Sequence, residues 1–229
     1  MRRSAHVCLV IIFLCCIAAI TASASATDGF SPIFDGKSLA GWEGKPGYWS
    51  IEDGAITGQT TKEHPTDKCT YLIWRGGKPG DFELRAQFKL IVGNSGIQIR
   101  GQELPNFDMA GYQADMCTEG LWYGSLFHTV RGQLTLRGQD VLIDQSGKKT
   151  VTMLGDPAAF LKHVQQGDWN DYRIVAKGDE FTLSINDVVM SHTIDRQQDK
   201  AARNGLIALQ IHPGPPMKVQ YKNLRIKTL

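Results

Sequence analysis

The chain has 229 residues, with 25 Lys plus Arg against 23 Asp plus Glu and 24 glycines. A balance this close to neutral argues against nucleic acid or an anionic membrane surface as the main partner, since both reward clustered Lys and Arg. Five cysteines occur without a CxxC or HxxxH spacing, so no zinc site is indicated, no cofactor is expected, and nothing in the spacing demands a divalent ion.

Arg2 and Arg3 precede an unbroken apolar run at residues 7–20, and small residues follow up to Ala24, Ser25 and Ala26. The order basic, apolar, small is that of a secretory signal peptide, with a cut expected after Ala26. The run of about 14 residues falls short of the roughly 20 needed to cross the hydrocarbon core, which disfavours a membrane anchor. Lipoprotein processing at Cys15 or Cys16 would cut into the apolar run. The expected location is therefore periplasmic or secreted, with no membrane association after cleavage and residues 27–229 forming one domain. Losing Arg2 and Arg3 leaves 23 basic against 23 acidic residues. Cys8, Cys15 and Cys16 leave as well. Cys69 and Cys117 remain, either as a disulfide in an oxidising compartment or as two buried thiols.

Beyond the leader, glycines punctuate the chain and the apolar residues alternate. Residues 82–90 (FELRAQFKL) alternate strictly and read as the clearest strand. Residues 156–165 read as a short helix, capped by Asp156 with Pro157 in its first turn. Residues 169–176 form a strand with Tyr172, Ile174 and Ala176 on one side. Phe181, Leu183 and Ile185 alternate with Thr182, Ser184 and Asn186, and Asn186-Asp187 reads as a turn into a strand at 188–194. Strands at 205–211 and 219–226 close the chain. In the last, the apolar phase slips from Val219 and Tyr221 to Leu224 and Ile226, which predicts a bulge near Lys222 and Asn223. Many short strands separated by turns indicate an antiparallel sandwich or barrel.

Residues two apart on a strand share a face, and three segments carry bulky polar pairs at that spacing: Gln98 with Arg100, Gln113 with Asp115, and Gln210 with His212. Trp122 and Tyr123 follow as possible stacking platforms. Amide, guanidinium, carboxylate and aromatic groups together make a lining suited to sugar hydroxyls; the alternative for each pair is an ordinary solvated face. Asp115 is the leading acid or base, because a carboxylate beside aromatic groups is tuned by burial and neighbours. His212 fits a catalytic role and a plain surface or core role equally. Glu119 is either a further site acid or an exposed loop residue.

Several blocks resemble one family. FDGKSLAGW at 34–42, WSIEDGAI at 49–56, DFELR at 81–85, NSGIQIR at 94–100, DWNDYRI at 168–174 and GLIALQIH at 205–212 are similar, in order, to the blocks of the 3-keto-disaccharide hydrolase domain family. The resemblance runs across nearly the whole mature chain. It implies an all-β, concanavalin A-like jelly-roll sandwich of two antiparallel sheets, and cleavage of glycosides already oxidised to a ketone at carbon 3. That ketone acidifies the C2 proton, so a base can remove it and the C1 substituent can leave, with water adding back afterwards. Such a site needs a base, an acid for the leaving oxygen and donors for the enolate. For that chemistry Asp115 or His212 fits the base and Arg100 with Gln113 the donors for the enolate or hydroxyls, with Gln98, Trp122, Tyr123, Gln210 and Glu119 as expected substrate contacts. Many relatives have GYE where this chain has GYQ at 111–113, which weakens a retaining mechanism built on two carboxylates about 5–5.5 Å apart. The alternative is a non-catalytic carbohydrate-binding module. The partner expected in both cases is a carbohydrate; no oligomeric state is assigned.

Overall fold

The structure, a computed structural model, describes residues 28–120 and 122–229. The expected signal peptide lies outside the described residues.

The described residues form seventeen strands. In chain order they are β1 (Ser31–Pro32), β2 (Trp42–Gly44), β3 (Trp49–Glu52), β4 (Ala55–Gln59), β5 (Thr70–Trp74) and β6 (Phe82–Val92). Next are β7 (Asn94–Leu104), β8 (Asp108–Cys117), β9 (Leu126–His128), β10 (Gly132–Thr135), β11 (Gln139–Ile143) and β12 (Lys149–Met153). The last five are β13 (Asn170–Lys177), β14 (Glu180–Ile185), β15 (Val188–Asp195), β16 (Leu206–Ile211) and β17 (Lys218–Thr228). A ten-stranded sheet runs β12-β11-β15-β14-β13-β6-β17-β4-β3, with β1 on β17, and a seven-stranded sheet runs β10-β9-β8-β7-β16-β5-β2. All pairs are antiparallel except β11 with β15, so the larger sheet carries one parallel pair that the sequence reading did not anticipate.

The alternation read in the sequence becomes the sandwich. Phe82, Leu84, Phe88 and Leu90 of β6 turn inward and meet Ile97 and Ile99 of β7 and Leu209 and Ile211 of β16 in the main core. Each such side chain contributes roughly 1.5–3 kcal/mol by leaving water. The slip in β17 is a bulge: its register against β6 shifts between Lys222 and Arg225, and Asn223 sits at φ +53°. Asn186 and Asp187 both take positive φ in the β14–β15 turn, which short Asx side chains tolerate. The helix α1 is shorter than expected, Pro157–Leu161, with the Asp156 carboxylate accepting from Ala158 N at 3.0 Å. Cys69 and Cys117 are both free thiols.

The outward face of the smaller sheet has its own apolar patch, Tyr71, Ile73, Met109, Leu206 and Ala208. These residues alternate with core residues on β5 and β16, so this sheet buries both faces. Side chains on its outer face therefore sit in a floor rather than in open water.

Candidate active site

Strand β8 lies beside the central strand β7 of this sheet. Tyr112, Ala114 and Met116 point into the core, which leaves Gln113 and Asp115 on the outer face. Opposite them on β7 stand Gln98 and Gly96 respectively. The glycine is required: a Cβ there would lie 2.6 Å from Gln113 Cγ and 2.7 Å from its Cδ. Without that obstacle, Gln113 crosses β7 and reaches Gln210 on β16.

The resulting polar chain has one internally consistent sense. Gln113 Nε2 donates to Asp115 Oδ1 at 2.7 Å and to Gln210 Oε1 at 3.1 Å. Tyr71 Oη donates to Gln113 Oε1 at 3.3 Å and accepts from Gln210 Nε2 at 3.1 Å. Gln210 Nε2 also lies 3.4 Å from Cys69 Sγ. Both amides are thereby orientated, and Asp115 is offered a donor on one oxygen only; among the described residues no hydrogen bond is formed to Oδ2. Tyr71, the direct partner of Gln210 across β5 and β16, is held far above the ordinary phenol range by burial and then by the neighbouring Cys69. Burial also pushes the Cys69 thiol up.

Asp115 is 4% exposed. Desolvation raises its carboxyl to about 7, against the opposing effect of the Gln113 hydrogen bond. A carboxylate with that value can both take and return a proton near neutral pH. His212 sits at the end of β16 with Nδ1 2.6 Å from the Pro213 carbonyl oxygen. That contact places the proton on Nδ1 and leaves Nε2 available, as an acceptor in the neutral ring and a donor in the charged one.

Asp115, Gln113, Gln210, His212 and Trp122 line one cleft of about 550 Å³. Trp122 stands nearly perpendicular to Phe127, with ring centroids 6.4 Å apart. The cleft also takes in Lys68, Cys69, Tyr71, Asn94 and Met109, none of which the sequence reading selected. Tyr71 had a legible signal: in TYLIW at 70–74, Tyr71 and Ile73 alternate with the core residue Leu72. Among the described residues no group of three or more His, Cys, Asp or Glu side chains gathers as a metal-binding set.

Four expected site residues lie elsewhere. Arg100 is displaced by a bulge: its φ is +46° and the β7–β8 register shifts between Ile99 and Gln102. The bulge breaks the rule that residues two apart share a face. The Arg100 guanidinium instead lies 5.1 Å from the centre of the Phe181 ring in the core and donates to the Gly80, Gly178 and Ala202 carbonyls and to Asp81 Oδ1. Tyr123 faces inward and stacks on Phe88. Glu119 is exposed in the loop after β8 and does not line the cleft. Gln98 shares the face of Gln113 but is wholly buried beneath the floor.

A family model described as "3-keto-alpha-glucoside-1,2-lyase-like domain" matches residues 29–227. A 3-keto-disaccharide hydrolase of Bacteroides thetaiotaomicron is 38% identical over 92 residues, which is 37% of this chain and 31% of that protein; the match thus spans under a third of that relative. Among solved structures, a putative glycosyl hydrolase of Parabacteroides distasonis aligns with TM-score 0.58 at 19% identity, over 87% of this chain and 99% of that one. A carbohydrate binding module of Bacillus subtilis aligns with TM-score 0.54 at 13% identity, over 82% and 96%. A Bacillus subtilis protein with a galectin-like fold aligns with TM-score 0.56 at 11% identity, over 87% and 94%. At these identities the structural likeness is one of fold, a jelly-roll sandwich.

Proposed function

Because the chain belongs to the 3-keto-alpha-glucoside-1,2-lyase-like domain family across residues 29–227, we propose that its cleft cleaves glycosides bearing a ketone at carbon 3. Membership gives the coarse class, a glycosidase-like or carbohydrate-binding protein. The observation that carries the finer reading is Asp115, a buried carboxylate raised to about 7 on the floor of an amide- and aromatic-lined cleft.

In this reading Asp115 accepts the C2 proton and the electron pair moves onto the C3 oxygen. The enolate then re-forms the ketone and expels the C1 oxygen, which takes the proton that Asp115 now carries. The product is a ring with a C1–C2 double bond and a 3-ketone. Addition of water across that double bond, with the proton returned to C2, makes the net reaction a hydrolysis. Lys68, exposed at the edge of the lining, is placed to offer its ammonium group to the enolate oxygen. Trp122 offers the sugar ring an apolar face. Incubating the purified protein with an aryl 3-keto-glucoside and following aglycone release tests this. No release between pH 6 and 9 overturns it.

A second reading is a binding module that holds a sugar without cleaving it. It is favoured by the saturated Gln113–Gln210–Tyr71 network, which is as well suited to presenting fixed hydroxyl partners as to positioning a base. Asp115→Asn separates the two: a binder keeps most of its affinity, whereas the enzyme loses turnover.

The apolar run and the small residues ending at Ala26 support export of the protein. N-terminal sequencing of the mature protein is expected to begin at Thr27; a blocked or intact Met1 end would overturn export by cleavage.

A further inference from the structure

The outward face of the larger sheet carries a second depression, of about 810 Å³, lined by Arg85, Arg173 and Arg225. It lies across the sandwich from Asp115, because Leu84, Ala86 and Phe88 of β6 and Tyr172 and Ile174 of β13 point the other way, into the core. The three arginines form a row: Arg85 stands directly opposite Arg173 on β13 and directly opposite Arg225 on β17. The bulge in β17 makes this row. Lys222 faces Gln87, so regular pairing would set Leu224 opposite Arg85; the extra residue sends Leu224 to the core and brings Arg225 up instead.

Like charges directly opposite on antiparallel strands oppose each other, and here one buried carboxylate, Glu83, lies against two of the three. It accepts from Arg173 Nε at 2.8 Å and Nη2 at 3.0 Å, and from Arg85 Nε at 2.7 Å. Among the described residues no hydrogen bond engages either Nη of Arg85 or any nitrogen of Arg225, whose ion pair with Asp28 spans 3.9 Å. The side chains of Arg85, Arg173 and Arg225 are 40%, 44% and 46% exposed, so these forks meet solvent. The Phe30 ring holds two of them side by side, its centre 4.5 Å from Arg85 Cζ and 5.2 Å from Arg225 Cζ.

The neighbouring row is a fixed polar ladder. Asn223 Nδ2 donates to Gln87 Oε1 at 2.7 Å, and Gln87 Nε2 donates to Asp171 Oδ1 at 3.0 Å. Charge is graded across the depression. Lys222, Arg225 and Lys227 lie on β17, whereas the acids of the lining, Asp171 on β13 and Asp187 in the turn after β14, lie on the other side. Strands β13, β6 and β17 are each paired on both flanks. No strand edge is free here for a peptide to extend, and recognition falls to the side chains.

We propose that this depression is a second, non-catalytic sugar site whose occupant is a uronate-bearing oligosaccharide. The uronate carboxylate sits on the free Nη groups of Arg85 and Arg225, in the planar fork geometry that Glu83 already adopts on Arg173. The ring hydroxyls meet the Asn223–Gln87–Asp171 ladder on the side away from the β17 cations. The site goes beyond the chemistry at Asp115 and does not depend on it: it gives the protein a hold on an acidic polysaccharide with the opposite sheet.

Calorimetric titration of the purified protein with tetragalacturonate tests this. Binding is expected, and about tenfold weaker binding of two controls: methyl-esterified tetragalacturonate, which keeps hydroxyls and loses the charges, and tetraglutamate, which keeps the charges and loses the hydroxyls. Arg225→Gln removes the least engaged guanidinium and is expected to weaken tetragalacturonate about tenfold, with melting temperature and cleavage of an aryl 3-keto-glucoside at parent values. No heat with about 1 mM tetragalacturonate overturns the proposal, as does equal affinity for either control. Parent affinity in both Arg225→Gln and Arg85→Gln places the ligand elsewhere and overturns it too. So does displacement of tetragalacturonate by the aryl 3-keto-glucoside, which would put the acidic sugar in the Asp115 cleft.

Discussion

Gln113 Nε2 lies 2.7 Å from Asp115 Oδ1 and 3.1 Å from Gln210 Oε1, so one amide nitrogen spends both its protons tying a carboxylate on β8 to an amide on β16. The tie crosses β7 above a glycine. It fixes which Asp115 oxygen is engaged and leaves the other for a substrate proton. The consequences for stability and rate can be measured.

Asp115 gives the folded protein a pH signature of unusual sign. Its carboxyl ionises near 7 when folded and near 3.8 otherwise, so between these values the native state holds a proton that the unfolded state has released. Its contribution is therefore most favourable below about pH 4, declines as pH rises to about 7, and is flat above. The full span is on the order of 4 kcal/mol. Asp115→Asn, neutral throughout, is expected to melt several degrees above the parent at pH 8 and close to it at pH 4–5. Calorimetric scans across pH check this; equal melting curves at pH 8 would count against a buried, proton-binding Asp115.

The activity of the parent is expected to rise through about pH 7 as Asp115 loses its proton. Gln113→Glu replaces the donor with a second carboxylate, and like charges at this range oppose joint ionisation. The rising limb of the pH–rate profile should move upward by one unit or more, with activity at pH 7 falling about tenfold and partly recovering at pH 8–9. A profile that keeps its midpoint would separate Gln113 from the proton-transfer step.

Gly96→Ala tests the crossing itself. The added methyl overlaps Gln113 Cγ and Cδ, and a flexible side chain can yield at a stability cost of only about 1 kcal/mol. The displaced amide leaves both Asp115 and Gln210. A folded protein with kcat reduced tenfold or more is expected; a fully active variant would show that the tie is dispensable.

Arg100 is expected to matter for stability alone. Arg100→Met strips donors from three carbonyls and from Asp81, whose carboxylate is itself 42% exposed, a loss of about 2–3 kcal/mol. Thermal melting should fall by roughly 10 °C, while KM for the folded enzyme stays at the parent value. A raised KM with an unchanged melting point would return Arg100 to the substrate.

Much of the cleft lining is legible in the sequence. Asp115 with Gln113 and Gln210 with His212 line one cleft, as their two-residue spacing predicts, because β8 keeps its alternation there and His212 directly follows the end of β16. Arg100 was misplaced by the same rule, since one bulged residue at φ +46° turns the side chain to the opposite side. Tyr123, adjacent to Trp122, was assigned to the cleft; in a loop there is no period to assign a face, and it turned into the core. Tyr71 comes from β5, distant in sequence from β8, and only strand order brings it to Gln113 and Gln210; Met109 lies on β8 itself, six residues before Asp115.

The amino-acid sequence by itself determined the β class, the inward alternation of β6, the β17 bulge, the family and the basic-apolar-small leader pattern, because each depends on local periodicity or on contiguous motifs. The tertiary structure alone decided that Gln113 reaches Gln210 over Gly96, that Asp115 is desolvated enough to ionise near 7, and that Gln98 is buried outside the cleft. These depend on which strands become neighbours and on how much water their contact excludes, quantities that no window along the chain contains.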